Sequence, residues 1–169
     1  RAPLPFALGG LGNDGATFSS ASTVTLPLNR PVAVPVRIAP AKPGVHSAIL
    51  TLDYAGAPGV EFRTQATVVA AHVLASDSGY TVQQKVEIPR PGMTHLYYRV
   101  PAGISALRVE VNAPKRRATV AITRPDTRNI TGIGQGPAAP LAQATMTYWV
   151  SEPVAGVWEV RLQDVEDTR

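Results

Sequence analysis

With 169 residues, of which 44 % are hydrophobic and 17 % are charged, the chain can bury a core and is not intrinsically disordered. Its formal net charge of +4 is small and evenly divided along the chain, which argues against a nucleic-acid partner. Cysteine is absent, which excludes disulfides and thiolate metal sites. No apolar stretch approaches the ~20 residues of a membrane span.

The two ends of the sequence suggest a piece of a longer polypeptide. Arg1 stands where an initiator Met would be, and Arg169 follows directly on a charged stretch. We therefore expect further sequence on both sides and a first domain that is truncated at its start.

Alternation of apolar residues with period two, typical of half-buried strands, dominates the first half. It predicts a strand through Val32, Val34, Val36 and Ile38, a second over residues 46–54 and a third through residues 62–68. Because Pro35 cannot donate to a ladder, the first of these strands is expected at a sheet edge or with a bulge. Residues 68–74 fit a helical turn by spacing, but β-branched residues favour a strand and a connector.

After the turn cluster of residues 76–79 the alternation resumes. It predicts strands over residues 80–88, 96–100, 107–111, 120–122, 146–150 and 158–162, with a Gly- and Pro-rich connection over 126–140. About ten short strands with turns every 8–12 residues are typical of sandwiches and Greek-key barrels. The sequence therefore predicts an all-β fold of two small β-sandwich domains, with the boundary between residues 71 and 79.

No catalytic or metal-binding motif occurs in the sequence. There is no Gly-x-Ser-x-Gly elbow and no His-Glu-x-x-His pair. His46, His72 and His95 lie far apart, within or beside strands, and are interpreted as structural. Residues 13–15, Asn-Asp-Gly, are typical of a hairpin turn, with a calcium ion held by loop carbonyls left open, and the glycines of residues 132–136 lack the context of a nucleotide-binding loop. We predict no catalytic residue, no cofactor and no metal ligand.

Two aromatic residues are candidates for contact with a partner. Alternation places Tyr98 and Tyr148 with core neighbours and leaves Tyr97 and Trp149 on the opposite faces. Outward aromatic rings are typical of a domain interface, and they could also stack on a sugar.

A local excess of basic residues gives a second candidate interface, in which Lys115, Arg116 and Arg117 are consecutive. Nucleic-acid binding favours aromatic residues between the basic ones, and none occurs here. A solvated hairpin loop is therefore favoured over a patch for an anionic partner, and no nucleic acid is expected.

Part of the chain resembles the region that follows the catalytic domain in subtilisin-like serine peptidases of the tripeptidyl peptidase II type. The resemblance is carried by residues 32–71, VAVPVRIAPAKPGVHSAILTLDYAGAPGVEFRTQATVVAA, where Gly44, His46 and Phe62-Arg63 match in order and spacing. Residues 95–111, HLYYRVPAGISALRVEV, look like the following domain of that family. Residues 153–162, PVAGVWEVRL, resemble the closing strand of jelly-roll domains that trail many secreted subtilases.

The resemblance implies a fibronectin-like sandwich over residues 1–72 and a jelly-roll sandwich over residues 73–169, similar to pre-peptidase C-terminal or proprotein-convertase-type domains. The catalytic Asp, His and Ser motifs of the family have no counterpart in this sequence. The chain would then be a non-catalytic accessory region that supports stability, assembly or substrate positioning. Its implied partners are the catalytic domain of the same polypeptide and further copies of the chain.

Two alternatives remain open from the sequence. The first is an independent carbohydrate or cell-surface binding module, and the second is a small enzyme with a dispersed site. An extracellular location is favoured over a cytoplasmic one.

Overall fold

A computed structural model describes residues 4–12, 17–88, 92–112, 118–130 and 145–164, and these residues form twelve β-strands. The fold is all-β, as predicted, and within the described ranges the single helical segment is the 3-10 turn Ser76–Ser78. The chain divides into two compact units, Arg1–Ala70 and Ala71–Arg169. Residues 71 and 72 thus belong with the second unit, whereas the sequence grouped them with the first.

The first unit contains a four-stranded and a two-stranded antiparallel sheet. In the larger sheet the strand order is β3-β1-β5-β6, and β2 pairs with β4 in the smaller one. The strands are β1 Leu4–Leu11, β2 Phe18–Ser19, β3 Thr23–Leu26, β4 Arg37–Ile38, β5 Gly44–Asp53 and β6 Val60–Ala70.

A buried histidine connects the two sheets of this unit. Thr17, Phe18, His46 and Ala48 are buried, the first two at β2 and the others on the inner face of β5. The Nε2–H of His46 donates to the Lys42 carbonyl at 2.8 Å, so Nδ1 is left to accept from the Thr17 hydroxyl at 3.4 Å. Burial with partners on both ring nitrogens is how a structural histidine is accommodated.

The predicted strand through Val32 and Val36 is wrong over most of its length. Residues 30–36 form no strand, and only Arg37–Ile38 pair, with Ser19 and Phe18. Pro31 and Pro35 both lack a backbone N–H, so this segment cannot form a continuous ladder of backbone hydrogen bonds although its side chains alternate.

The second unit has the same division into four and two strands. In its larger sheet the order is β10-β12-β8-β7, where β7 runs parallel to β8, and the smaller sheet pairs β11 with β9. The strands are β7 His72–Val73, β8 Met93–Val100, β9 Ala106–Asn112, β10 Ala118–Thr123, β11 Thr145–Ser151 and β12 Gly156–Asp164.

The core of the second unit lies between these two sheets. Trp158, Ile122 and Val100 have at most 1 % of their surface exposed, and they form one cluster with Val160 and Leu162. The smaller sheet packs against this cluster through alternate residues of its two strands, Leu107, Val109, Val111, Tyr148 and Val150. The indole N–H of Trp158 donates to the Val154 carbonyl at 2.8 Å, so no polar group of this ring is left unpaired.

The structure differs from the sequence prediction in two further places, where a predicted strand does not form and where strands form that were not predicted. Residues 81–88 alternate as a strand would, yet they form none, and β1, β2 and β3 lie in the first 31 residues, where no strand was predicted. The predicted turn at residues 13–15 and the glycines of residues 132–136 lie outside the described residues. The fibronectin-like and jelly-roll types of the two sandwiches stay predictions.

Replacing Trp158 with Ala should destabilise the chain by ~3–5 kcal/mol, because the substitution leaves a large cavity in the centre of the sandwich. Trp149→Ala is the matched control, since that ring is 67 % exposed and its loss should cost about 1 kcal/mol or less. Urea unfolding followed by circular dichroism measures both. Equal midpoints for the two variants would contradict this account of the core.

Candidate interaction surfaces

Trp149 projects from the outer face of the smaller sheet in the second unit. In the register of β9 and β11 it lies opposite Arg108, whose guanidinium carbon is 5.7 Å from the centroid of the ring. The same guanidinium group is hydrogen-bonded to the carboxylate of Glu110. Trp149, Arg108 and Glu110 thus form one exposed group on this face.

The contacts within this group contribute little to stability. An exposed cation–π pair contributes only ~0.5–1 kcal/mol, and a surface ion pair contributes little. Tryptophan and arginine are the residues most enriched at the energetic centres of protein interfaces. Beside this guanidinium, Trp149 remains 67 % exposed.

Tyr97, the second predicted interface aromatic, lies on a different sheet. It is half-buried on the outer face of the larger sheet and pairs across the strands with Glu159. His95 Nδ1 is 2.5 Å from the Glu159 carboxylate on the same face. Tyr97 and Trp149 therefore lie on the outer faces of two facing sheets, and the structure does not bring them together into one platform.

The basic stretch is partly neutralised by its own carboxylates. Arg108 contacts Glu110, and Arg124 Nη2 is 3.2 Å from Asp126 Oδ2. The predicted interface residues Lys115, Arg116 and Arg117 lie outside the described residues, so their role stays a prediction.

On β5 and β6 of the first unit the outer face carries charge at one end only. Because His46 and Ala48 point inward, the outward residues of β5 are Val45, Ser47, Ile49 and Thr51, and their partners on β6 are Val69, Thr67, Gln65 and Arg63. The charged residues of these two strands, Asp53, Glu61 and Arg63, are grouped at one end.

We call the outward residues Val45, Ser47, Ile49, Thr67 and Val69 the uncharged face. Val45 is 53 % exposed, Ile49 42 % and Val69 39 %, while the hydroxyls of Ser47 and Thr67 satisfy each other at 2.9 Å. Natural sheet faces that remain in water usually carry charges, and depletion of charge is what distinguishes the centres of protein interfaces. The alternation was visible in the sequence, but which of the two residue sets faces the core was not.

The second unit also contains a cleft of about 1660 Å³. The residues that line it include Leu96 and Tyr98 of the larger sheet, β9 and residues 79–88, beside the buried core cluster. The hydroxyl of Tyr98 accepts a hydrogen bond from Gln84 Nε2 at 2.5 Å, which connects residues 79–88 to the larger sheet. Sequence reasoning missed this cleft because it assigned residues 80–88 to a strand.

Within the described ranges no three His, Cys, Asp or Glu side chains are close enough together to hold a metal ion. No described helix is long and apolar enough to cross a membrane.

A known protein family matches the first unit. Residues 4–70 match the family described as an Ig-like domain in actinomycete serine proteases. An Ig-like domain is a non-catalytic β-sandwich, an architecture that fibronectin-type domains share. The match therefore supports a non-catalytic accessory region of a serine protease, attached to a catalytic domain. No curated protein and no solved structure matches the chain.

Burial raises the pKa of the Tyr97 and Tyr98 hydroxyls above the ordinary value of 10.0. At Tyr97 the charge of Glu159 raises the pKa further. At Tyr98 the hydrogen bond from Gln84 acts in the opposite direction and lowers it. Since the neutral form is favoured in the folded chain, the stability linked to these groups is complete below pH 10 and falls as pH rises through the raised pKa values. Absorbance at 295 nm should show a phase above pH 10 that is lost in Tyr97→Phe/Tyr98→Phe. A titration unchanged by this double substitution would contradict the assignment.

Proposed function

We propose that the chain is an accessory region of a subtilisin-like serine peptidase that stabilises the catalytic domain of the same polypeptide by packing against it through the uncharged face. The observation that carries the proposal is the coincidence of two features in one segment. The match to Ig-like domains of serine proteases spans residues 4–70, and the uncharged face lies within those residues.

The uncharged face is one part of a contact of the size that domains of one chain usually make. It occupies two strands about 4.8 Å apart over five residues of β5 at ~3.3 Å per residue, roughly 160 Å² of sheet. Interfaces between domains of a single polypeptide bury ~600–1,500 Å², so the proposed contact would extend from this face onto the neighbouring surface. The exposed side chains of Val45, Ile49 and Val69 would supply the apolar part of this contact.

Such a contact acts through linkage and not through chemistry at the active site. Interactions that exist only when both domains are folded lower the free energy of the native state of each, so the catalytic domain unfolds less readily. The triad itself would keep its geometry and its intrinsic rate on a small substrate. The proposed role would therefore be measured as the stability of the catalytic domain and as the rate of hydrolysis of long substrates.

One observation favours a second function, an independent carbohydrate-binding module. Trp149 is 67 % exposed on a sheet face, with the side chains of Arg108 and Glu110 beside it as hydrogen-bonding groups. A sugar ring could stack on the exposed indole. Binding of oligosaccharides by the isolated chain, abolished by Trp149→Ala, would place this function first.

The test of the proposed function introduces two charges on the uncharged face of the full-length peptidase, as Val45→Lys/Ile49→Lys. Both side chains are exposed in the isolated chain, so its melting temperature should change little. In the full-length protein the two charges would have to be desolvated without partners, so the catalytic domain should melt several degrees lower. Differential scanning calorimetry measures both proteins, with hydrolysis of a chromogenic tripeptide as the control for an intact triad.

A matched control is Leu28→Lys/Val32→Lys, because these residues are 60 % and 39 % exposed and lie outside the four-stranded sheet. This control should leave the full-length protein unchanged. If both double variants melt at the same temperature as the parent protein, the uncharged face does not contact the catalytic domain and the proposal fails.

A further inference from the structure

The outer face of β9 and β11 combines one exposed indole ring with a set of hydrogen-bonding side chains. Alternate residues of both strands are exposed, while the intervening residues are half-buried and most of them pack against the core. Among the eight outward residues Trp149 is the only large apolar one, and Ala106 is small. The other six carry hydroxyl, amide, carboxylate or guanidinium groups: Arg108, Glu110, Asn112, Thr145, Thr147 and Ser151.

The register of the two strands places these groups in order along the face. From the ring toward the start of β11, three cross-strand pairs follow one another: Trp149 with Arg108, Thr147 with Glu110, and Thr145 with Asn112. We call these six residues the polar track. Successive pairs are two residues apart, so at ~3.3 Å per residue the track is about 13 Å long.

The polar track carries no net charge. Its two ionic groups, the guanidinium of Arg108 and the carboxylate of Glu110, are hydrogen-bonded to each other. A strongly charged polymer therefore gains no net Coulombic attraction on this face. The hydroxyls of Thr145 and Thr147 and the amide of Asn112 each donate and accept hydrogen bonds. Such a mixture suits a ligand that is uncharged and rich in hydroxyl groups.

The composition of the track does not suit the centre of a protein interface. Tryptophan and arginine are enriched at such centres, but charged residues as a whole are depleted there and apolar anchors pack together. Trp149 has no large apolar neighbour among the outward residues of its own sheet, and its ring is 67 % exposed. A single ring among polar groups suits a ligand whose units each have an apolar face and a polar edge.

A pyranose ring with equatorial substituents has this form. Its faces carry C–H groups, whose partial positive charge suits the negative face of the indole, and its hydroxyls point sideways. Rings joined through equatorial oxygens, by β linkages, make an extended ribbon, whereas α linkages make the chain coil. We propose that the polar track binds an uncharged, extended β-linked polysaccharide of glucose or N-acetylglucosamine, with one sugar stacked on Trp149 and the next ones hydrogen-bonded along the track. The inference rests on the second function, carbohydrate binding, and specifies its ligand.

The experiment uses the full 169-residue chain and three uncharged hexasaccharides. Cellohexaose and chitohexaose are extended β-linked chains of glucose and of N-acetylglucosamine, and maltohexaose is a coiled α-linked chain of glucose. We expect saturable binding of at least one extended chain by isothermal titration calorimetry, and the tighter of the two identifies the sugar unit. Maltohexaose should bind at least tenfold more weakly. Equal affinity for maltohexaose, or no binding of either extended chain at millimolar concentration, would overturn the inference.

The two tryptophans provide a readout that locates the ligand. Trp149 is 67 % exposed and Trp158 is 1 % exposed, so quenching of fluorescence by acrylamide reports mainly on Trp149. A sugar stacked on the indole should reduce this quenching at least twofold when the chain is saturated with the hexasaccharide that binds. Quenching that stays the same at saturation would show that the ligand binds elsewhere, and the inference would then be wrong.

Paired variants test the part of the track beyond the ring. Thr145→Val/Thr147→Val removes two hydroxyls and keeps the β-branched shape, so the hexasaccharide should bind at least tenfold more weakly. Thr23→Val/Thr25→Val is the matched control on exposed positions of β3, and it should change the affinity less than twofold. All four side chains are exposed, so the thermal melts of both variants should match that of the parent chain.

The outcomes separate this inference from both proposed functions. Hexasaccharide binding that Trp149→Ala abolishes but Thr145→Val/Thr147→Val leaves unchanged would overturn the polar track and leave carbohydrate binding intact. Absence of any hexasaccharide binding would overturn both. Neither result involves the uncharged face, so the proposed contact with the catalytic domain stands or fails on its own experiment.

Discussion

The burial of Trp158 is the interaction on which the second unit depends. It lies on β12, an interior strand of the larger sheet, with Tyr98 opposite it and His72 beyond, so one row of rings crosses three strands. The rings of His72 and Tyr98 stack with centroids 5.5 Å apart. Burying a ring of this size requires cover on both sides, and the smaller sheet packs over the row of rings. The Val154 carbonyl accepts a hydrogen bond from the indole N–H, so this polar group is not buried without a partner.

In the first unit, hydrogen bonds of a buried histidine connect the two sheets. Among the side chains described in this unit, Thr17, Phe18, His46 and Ala48 are buried, and His46 bridges Thr17 beside β2 to Lys42 ahead of β5. A hydrogen-bonded histidine fixes the spacing of two sheets more specifically than an apolar contact would, because its partners must lie at defined positions. A unit of about 70 residues buries a modest share of its surface, so further burial against another folded domain would stabilise it appreciably.

The outer faces of the sheets differ in chemistry. One face carries Trp149 with Arg108, another carries Tyr97 with Glu159 and His95, and the third is uncharged. Charged and aromatic groups tolerate water, whereas an extended apolar and hydroxyl-bearing face gains most from being covered. The proposed contact with a catalytic domain therefore belongs to the uncharged face, which lies in the segment similar to Ig-like domains of serine proteases.

The sequence by itself determined the all-β class and the positions of most of the longer strands, because alternation over five or more residues is typical of half-buried strands. The eight-residue strand β1 was the exception. Strands such as β5, β8 and β12 followed from Val, Ile, Leu and Trp at every second position. Alternation does not say which strands pair. Residues 32–36 and 81–88 alternate without a partner, while the two-residue strands β2 and β4 pair with almost no pattern. Only the tertiary structure decided which face of each sheet is covered, since burial depends on residues distant in sequence, and the uncharged face and the cleft are both consequences of that choice.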